Sequence, residues 1–310
     1  MLKNNLSKVP GPQDVRCNLC SGTDFGNFLP AYSRLLGSVP EMQLVQCKHC
    51  GLVFLHPKPN WDELKEFYPE SYYKQNSTIG MGARLGRIHE GLSRGAVFVP
   101  DGRLLDVGCG NGDYLARAEM RGMRAFGLEP NIHGFLICKS RGLNVKNAFL
   151  EDSGYPQDFF DIITVNHVLE HVPDPLSSLL LIKSLLKPNG IAIIQVPNIS
   201  SLAFYASREH FLHLDVPRHL FHFEKNTLSA YLDKAGLRLL RVRYYTSAMA
   251  LLESLFLRTR GSRPISANNK DVARRGAVLS PFIEILFTPF KILLNNLELG
   301  DVFEVYATKV

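Results

Sequence analysis

From about residue 101 the chain alternates short apolar runs with amphipathic segments of helical period. The apolar runs predict strands at 103–107, 124–128, 143–149, 159–165, 191–196 and 237–245. The segments between them predict helices at about 114–121, 131–141, 175–186 and 227–235. This alternation is typical of right-handed crossovers around a mostly parallel sheet. The last segment, 301–309, alternates apolar and polar residues and suits an added antiparallel strand.

The N-terminal part of the chain has a different character. Residues 1–60 are rich in turn-forming residues and contain four of the six cysteines, and residues 61–100 contain helical pieces interrupted by glycines. We therefore expect a small module at 1–60, a helical linker at 61–100 and a main α/β domain at 101–310. The main domain is expected to contain an insert of apolar and basic residues at about 247–300.

Composition and charge narrow the class of protein. The 310 residues are 45% hydrophobic and 21% charged, which is typical of a globular protein. No apolar run reaches the roughly 20 residues that cross a bilayer, and the N-terminus has no secretory apolar region. We therefore expect a cytoplasmic protein with reduced thiols. The net charge of +6 is too small to indicate a nucleic-acid partner.

A glycine-rich loop follows the first strand of the main domain. Asp106 precedes glycines at 108, 110 and 112, and a helix is predicted directly afterwards. Glycines at these positions permit a tight turn and the close approach of a ligand to the backbone. The second strand ends at Glu129, where a carboxylate is placed to accept the two ribose hydroxyls of an adenosine. This pattern predicts a Rossmann-like, nucleoside-binding sheet.

Four ordered segments in this region make the sequence similar to a known family. LLDVGCGNGDYL, GLEP, FLEDSGYPQDFFDIITVNHVLEHVPDP and LKPNGIAIIQVPN resemble the successive motifs of class I S-adenosylmethionine-dependent methyltransferases, over about residues 95–245. The resemblance implies a seven-stranded sheet and methyl transfer from S-adenosylmethionine. It also implies a set of cofactor-binding residues: Asp106, Gly108, Cys109, Gly110, Glu129, Pro130, Glu151, Asp152, Asn166 and His167.

The resemblance implies roles for several of these residues. Gly108 and Gly110 make room for the methionine part of the cofactor, with Asp106 beneath it. One of the acidic pair Glu151 and Asp152 is expected to contact the adenine. The residues at the end of the fourth strand are expected to face the cofactor, whereas the acid and histidine that follow, at 170 and 171, are interpreted as structural groups at a helix start.

The four N-terminal cysteines form two C-x2-C pairs. Cys17 and Cys20 are separated by 26 residues from Cys47 and Cys50. Two such pairs in a reduced compartment predict a tetrahedral four-thiolate site for a structural zinc ion, with Gly22 and Gly51 permitting the turns. A redox pair and unliganded buried thiols are the alternatives. The segment LVQCKHCGLVFLHPKP also resembles the zinc-binding module of methyltransferases that act on nucleotide-linked deoxysugars and related glycan precursors.

A histidine-rich segment follows the fifth strand, at the sheet edge where acceptor groups are expected. Residues 210–223 contain four histidines, an acid and an arginine. On the resemblance to sugar methyltransferases, His219 falls on the general base and Arg218 replaces the usual glutamate. His222 is a second candidate base, and Asp215 is expected to orient a histidine. The alternative is partly buried polar packing.

The insert combines two apolar helices with a basic stretch. Residues 248–257 and 281–294 predict apolar helices, and residues 258–275 between them contain six basic residues and one acidic residue. The second helix has a narrow polar stripe of Glu284, Thr288 and Lys291, and Pro289 is expected to kink it. An interfacial contact of 248–294 with the inner face of an anionic membrane, and a buried lid or homodimer contact, are both compatible with this pattern.

Several functions follow from these features. The main hypothesis is methyl transfer from S-adenosylmethionine to a small or lipid-linked acceptor, with a sugar of a surface glycan in first place. A quinone or other lipid-ring O-methyltransferase is the second. An RNA methyltransferase that grips nucleic acid with the zinc module is the third, and the weakly basic module argues against it. A non-catalytic cofactor-binding regulator is the fourth.

Overall fold

The computed structural model describes residues 15–33, 37–64, 67, 99–260 and 283–309. The strands are β1 (Phe25–Ser33), β2 (Gly37–Cys47), β3 (Val53–His56), β4 (Arg103–Val107), β5 (Arg124–Leu128), β6 (Val145–Lys146), β7 (Phe160–Asn166), β8 (Leu186–Pro197), β9 (Phe221–His222), β10 (Leu237–Tyr245) and β11 (Val302–Lys309). The helices are α1 (Trp61–Leu64), α2 (Asp113–Glu119), α3 (Ile132–Ser140), α4 (Pro175–Leu185), α5 (Leu202–Ser207), α6 (Lys225–Ala235), α7 (Ala248–Arg260) and α8 (Thr288–Asn296).

The main sheet has seven strands in the order β10-β11-β8-β7-β4-β5-β6. The strands β4, β5, β6, β7 and β8 pair in parallel, and β11 is antiparallel to both of its neighbours. The predicted α/β, Rossmann-like sheet with an antiparallel last strand is therefore confirmed. Central strands are apolar on both faces because helices cover them, and residues such as Leu104 and Ile163 are fully buried.

Local signals in the sequence set the helix ends. The side chain of Asn131 accepts a hydrogen bond from the N–H of His133 at the start of α3, and Asp174 does the same for Ser177 at the start of α4. Gly236 ends α6 in the left-handed region, with φ of 69°. These caps place the helix starts after β5 and β7 at the carboxyl edge of the sheet.

Two predicted boundaries were wrong. The predicted strand at 143–149 is reduced to β6, because the chain turns at Asn147, whose side-chain amide donates to the carbonyls of Glu129 and Pro130. The strand predicted at 191–196 is longer, because β8 begins at Leu186 directly after α4.

The N-terminal module forms a second, four-stranded sheet in the order β1-β2-β3-β9. Its last strand comes from the histidine-rich segment of the main domain, and the N–H of Leu55 also donates to the carbonyl of Leu220. The rings of Phe28 and Phe204 stack with centroids 5.9 Å apart. The module is thus joined to the main domain by backbone pairing and by apolar contacts.

Further contacts hold the first cysteine turn against the main domain. The amide of Asn18 donates to Asp174 at 2.9 Å and accepts from the hydroxyl of Tyr231 at 2.8 Å. The division of the chain at residues 60 and 100 stays a prediction. Most of the predicted linker lies outside the described residues, as do residues 261–275 of the basic stretch.

The insert departs from its predicted form in one respect. The chain turns at Phe287, and Pro289 lies in the first turn of α8, where its missing N–H costs nothing. A helical turn at 283–286 precedes this break. The predicted helix is therefore interrupted two residues before the proline, and a kink caused by the proline stays a prediction.

The polar stripe of the insert faces the protein, and many of its apolar residues face outward, although Leu257 and Leu294 are buried. Lys291 is only 9% exposed, and its Nζ lies 2.7 Å from Glu284. Glu284 also accepts hydrogen bonds from Ser247 and from the N–H of Met249. In contrast, Leu286 is 76% exposed. Other outward apolar residues on α7, α8 and the preceding turn are Leu252, Phe256, Ile285, Phe290, Ile292, Leu293 and Leu297.

We call these eight exposed side chains the apolar face of the insert. In the part of the chain that the structure describes, no helix combines the length and the hydropathy that crossing a bilayer requires.

Candidate active site

The glycine loop connects β4 to α2 at the carboxyl edge of the sheet. Gly108, Gly110 and Gly112 all have positive φ, between 57° and 79°, so each takes a conformation that favours glycine. A Cβ at Gly108 would lie 2.5 Å from Cγ2 of Val168, whereas a Cβ at Gly110 would meet nothing within 4 Å. The loop is therefore packed tightly on one side and borders open space on the other, as a ligand cradle requires.

Asp106 lies beneath this loop at the end of β4. The residue is 3% exposed, and its Oδ1 accepts a hydrogen bond of 2.7 Å from the hydroxyl of Thr164 on the paired strand β7. This contact fixes the carboxylate between two central strands.

Glu129, at the tip of β5, joins the strand to the glycine loop. Its Oε2 accepts from the N–H of Gly110 at 2.8 Å, and its Oε1 accepts from the N–H of Asn131 at 2.9 Å. Burial raises the pKa of this carboxyl to about 7. A carboxylate has about four acceptor positions, so the two N–H groups leave capacity for ribose hydroxyls. That role of Glu129 stays a prediction.

The remaining predicted cofactor residues lie around the same edge. Pro130 is partly exposed after β5, and Glu151 and Asp152 lie in an exposed turn after β6. The side chain of Cys109 is 8% exposed and packs in the core, because its Sγ would lie 2.8 Å from a Cβ placed at Gly127.

Asn166 and His167 end β7 and begin the turn toward the histidine-rich segment. His167 has a φ of 52°, and its Nδ1 lies 3.1 Å from Oε1 of Glu170. Its ring lies nearly parallel to that of His213, with centroids 6.3 Å apart. The predicted cofactor edge and the predicted acceptor segment are thus in contact.

The histidine-rich segment folds around Asp215. Oδ1 of Asp215 accepts from the guanidinium of Arg218 at 2.7 Å, and its Oδ2 lies 3.8 Å from Nε2 of His219. Asp215 therefore lies beside His219, and its expected role in orienting a histidine stays a prediction. Burial and the neighbouring His171 lower the pKa of His219 well below its usual range, so the imidazole is neutral at pH 7.

His222, the second candidate base, is more deeply buried on β9. It is 2% exposed, and burial lowers its pKa to about 3. Its ring centroid lies 6.4 Å from that of His219. The assignment of a base to either histidine stays a prediction.

The structure adds one grouping that the sequence analysis missed. His171, interpreted above as a structural residue, packs edge-on against His219 with ring centroids 4.5 Å apart. Its Nδ1 does satisfy a backbone group, the carbonyl of Arg218 at 3.0 Å. The carboxylate of Glu170, by contrast, faces this pair rather than a helix terminus. The sequence shows the two histidines and the acid, but it does not show that the connections that carry them meet.

The four cysteines of the module converge. The Sγ atoms of Cys17 and Cys50 lie 3.5 Å apart, as do those of Cys20 and Cys47, and all four Sγ atoms lie within 4.8 Å of one another. All six cysteines of the chain have free thiols. Four converging thiols are the donor set that tetrahedral zinc prefers.

The two cysteine turns repeat one backbone pattern. The N–H of Ser21 donates to the carbonyl of Cys17, and the N–H of Gly51 donates to that of Cys47. Ser21 and Gly51 both have positive φ. The left-handed residue of the first turn is thus Ser21, which the sequence analysis did not single out. Gly22 instead allows close approach to Sγ of Cys20.

Comparisons with known proteins agree with this fold. The chain is 30% identical over 161 residues to an Actinobacillus pleuropneumoniae protein named ubiquinone biosynthesis O-methyltransferase, covering 46% of this chain and 68% of that protein. For the Haemophilus ducreyi protein of the same name the identity is 28%, covering 40% and 58%. Across such curated relatives the chain spans between 45% and 68% of their length.

A solved structure of a Thermotoga maritima S-adenosylmethionine-dependent methyltransferase has the same fold. It superposes with a TM-score of 0.53 at 16% identity, over 78% of this chain and 97% of that one. A family model described as a methyltransferase domain matches residues 83–242, which is just over half of the 310 residues. The chain therefore belongs to the methyltransferase-domain family.

Proposed function

We propose that this chain transfers a methyl group from S-adenosylmethionine to a lipid-linked acceptor at a membrane surface, with a sugar of a surface glycan precursor as the first candidate. The observation that carries the proposal is the apolar face of the insert. A solvent-exposed helix normally turns its polar side outward, whereas α8 exposes Phe290, Ile292 and Leu293 and buries the charged Lys291. Such a face requires an apolar partner.

The basic charge beside the apolar face favours a membrane over a second protein as its partner. The 258–275 stretch between the two apolar helices has a net charge of +5. Basic residues beside an apolar helix face bind anionic lipid surfaces, and each adds roughly 1 kcal/mol near the surface. A lid or a homodimer contact does not require this charge.

The cofactor supplies an electrophilic methyl group on a sulfonium, and the transfer is an in-line displacement. The open side of the loop at Gly110 fits its methionine part, and Glu129 is placed for its ribose. The neutral imidazole of His219 carries its lone pair on Nε2, because Nδ1 donates to the carbonyl of His213 at 2.9 Å. In this proposal Nε2 of His219 accepts the proton that the acceptor group loses, and His222 is the alternative base.

Zinc at Cys17, Cys20, Cys47 and Cys50 is part of the same proposal. Its support is the convergence of the four Sγ atoms. The ion would fix the module that pairs with β9, and through β9 the histidine-rich segment. Its role would be structural.

A quinone ring is the second candidate acceptor, and the names of the curated relatives favour it. Both candidates have a lipid tail. The resemblance of the cysteine module to that of sugar-precursor methyltransferases favours the glycan.

The experiment uses methyl-labelled S-adenosylmethionine with lipid and aqueous extracts of the host, and Asp106→Ala as the blank. Label in the organic phase supports a lipid-linked acceptor. Hydrolysis of the labelled lipid then releases either a labelled sugar or a labelled ring, which separates the two candidates. Label confined to the aqueous phase would contradict the proposal.

A second assay tests the membrane contact itself. The protein is floated with vesicles of phosphatidylglycerol and phosphatidylcholine. Leu293→Asp in the apolar face should weaken binding at least tenfold, since it places a charge in the contact. Leu180→Asp, on the exposed surface of α4, is the matched control and should bind normally.

A further inference from the structure

A second cluster of metal-ligand side chains lies at the histidine-rich segment, apart from the four cysteines. Glu170, His171 and His219 each bring one ligand atom into a group whose members lie within 4.8 Å of one another. Glu170 and His171 follow β7, and His219 precedes β9. The fold therefore assembles this cluster from two distant parts of the chain.

Each of the two imidazoles is held by a hydrogen bond to a backbone carbonyl. Nδ1 of His171 lies 3.0 Å from the carbonyl oxygen of Arg218, and Nδ1 of His219 lies 2.9 Å from that of His213. Each Nδ1–H donates to its carbonyl, so in each ring the lone pair is on Nε2. Histidines that bind metals commonly have this arrangement, because the carbonyl fixes both the tautomer and the ring orientation.

The carboxylate of Glu170 is fully buried, and one of its oxygens has no partner. Oε1 lies 3.1 Å from Nδ1 of His167, but Oε2 has no hydrogen-bond donor among the described residues. A buried carboxylate oxygen without a donor is costly, so native structures usually pair it or place it on a cation. The guanidinium of the nearby Arg218 donates to Asp215, whose carboxylate balances its charge.

We propose that Glu170, His171 and His219 bind a divalent first-row transition ion through one carboxylate oxygen and two Nε2 atoms. Two imidazoles and a carboxylate suit manganese, iron, cobalt or zinc, whereas magnesium and calcium prefer oxygen ligands only. Three protein ligands leave coordination positions for a further molecule.

The position of the cluster suggests the use of the ion, and this step rests on the proposed function. The cluster lies at the carboxyl ends of the strands, the edge that also holds the glycine loop. An ion there would bind an acceptor hydroxyl and lower its pKa, so that a weak base suffices for transfer. His219 would then act as a ligand, and proton acceptance would fall to His222, the alternative base of the proposed function.

Manganese is the probe, because thiolate sites such as the cysteine cluster bind it poorly. Zinc-loaded protein is titrated with manganese chloride, and free ion is followed by electron paramagnetic resonance, with zinc content measured in parallel. We expect one manganese per chain with no loss of zinc. Glu170→Gln and His219→Asn should weaken binding at least about tenfold. The matched control is His133→Asn on α3, which should bind like the wild type.

Two results would overturn the site. One is a wild-type protein that binds no manganese, and the other is unchanged binding by folded Glu170→Gln and His219→Asn. Circular dichroism and S-adenosylmethionine binding establish whether the variants are folded. If they are not, the number of manganese ions bound per wild-type chain decides whether the site exists. No acceptor is present, so the outcome is independent of whether the acceptor is lipid-linked.

Discussion

The carboxylate of Glu129 accepts a hydrogen bond from the N–H of Gly110 at 2.8 Å, so the tip of β5 fixes the conformation of the glycine loop. Glu129→Gln replaces one acceptor oxygen by an N–H₂ group that faces a backbone donor. We expect the Kd for S-adenosylmethionine to rise about tenfold or more, equivalent to about 1.4 kcal/mol. Isothermal titration calorimetry measures it. Glu119→Gln, exposed at the end of α2, is the control, and equal Kd values for both variants would contradict the role of Glu129.

Substitution of Gly110 tests whether the glycine loop holds the cofactor, and it separates an effect on cofactor binding from an effect on protein stability. Gly110 and Gly122 both have positive φ, and a Cβ at either meets nothing within 4 Å. An alanine at either should therefore cost a similar free energy of unfolding, about 1 kcal/mol. Only Gly110→Ala should weaken S-adenosylmethionine binding, because its methyl group enters the open side of the loop. If both variants bind normally, the cofactor does not lie against Gly110.

Zinc removal should affect acceptor turnover more than cofactor binding. The module pairs with β9 and contacts α5, whereas the glycine loop lies on the main sheet. Chelation, or Cys47→Ser, should disorder the module and lower turnover at least tenfold, while the Kd for S-adenosylmethionine changes less than about threefold. Cys138→Ala, outside the cluster, should retain zinc. Normal turnover by zinc-free protein would contradict the structural role.

Asp301 should make stability depend on pH. Burial raises its pKa from 3.8 to about 7, although the N–H of Ser247 donates to it. The folded state therefore keeps a proton that the unfolded state has lost, and the free energy of unfolding falls as pH rises from about 4 to 7, by up to about 4 kcal/mol. Urea unfolding of the wild type and Asp301→Asn at pH 5 and 8 measures the difference. A fall of equal size in both proteins would exclude Asp301 as its source.

The main sheet was predictable because its strands are continuous apolar runs separated by well-capped helices. The errors fall where tertiary contacts override local pattern. Asn147 shortens the edge strand by bonding to Glu129 and Pro130. The pairing of β9 with the N-terminal module was not predictable, because two residues give no periodicity and the partner strand lies in another part of the chain.

The candidate site was predictable where backbone geometry requires one residue type. The spacing of the loop glycines and of the paired cysteines was sufficient to predict their positions in the site. The contact of His171 with His219 could not be predicted, since it depends on how a long connection folds back over the sheet. The orientation of α8 was also missed, because a polar stripe alone does not indicate which side of a helix faces the protein.

That orientation depends on the ion pair of Lys291 with Glu284, whose side chains are 11% and 27% exposed. Lys291→Met leaves a partly buried carboxylate without its cation, so it should cost about 1–3 kcal/mol in the free energy of unfolding and should weaken vesicle binding by misorienting the apolar face. The exposed pair of Lys225 and Glu298 provides the control, and Lys225→Met should cost less than about 1 kcal/mol. Combining Lys291→Met with Glu284→Gln should cost less than the sum of the single variants, because the two side chains interact. Additive losses, or full vesicle binding by Lys291→Met, would mean that packing alone orients α8.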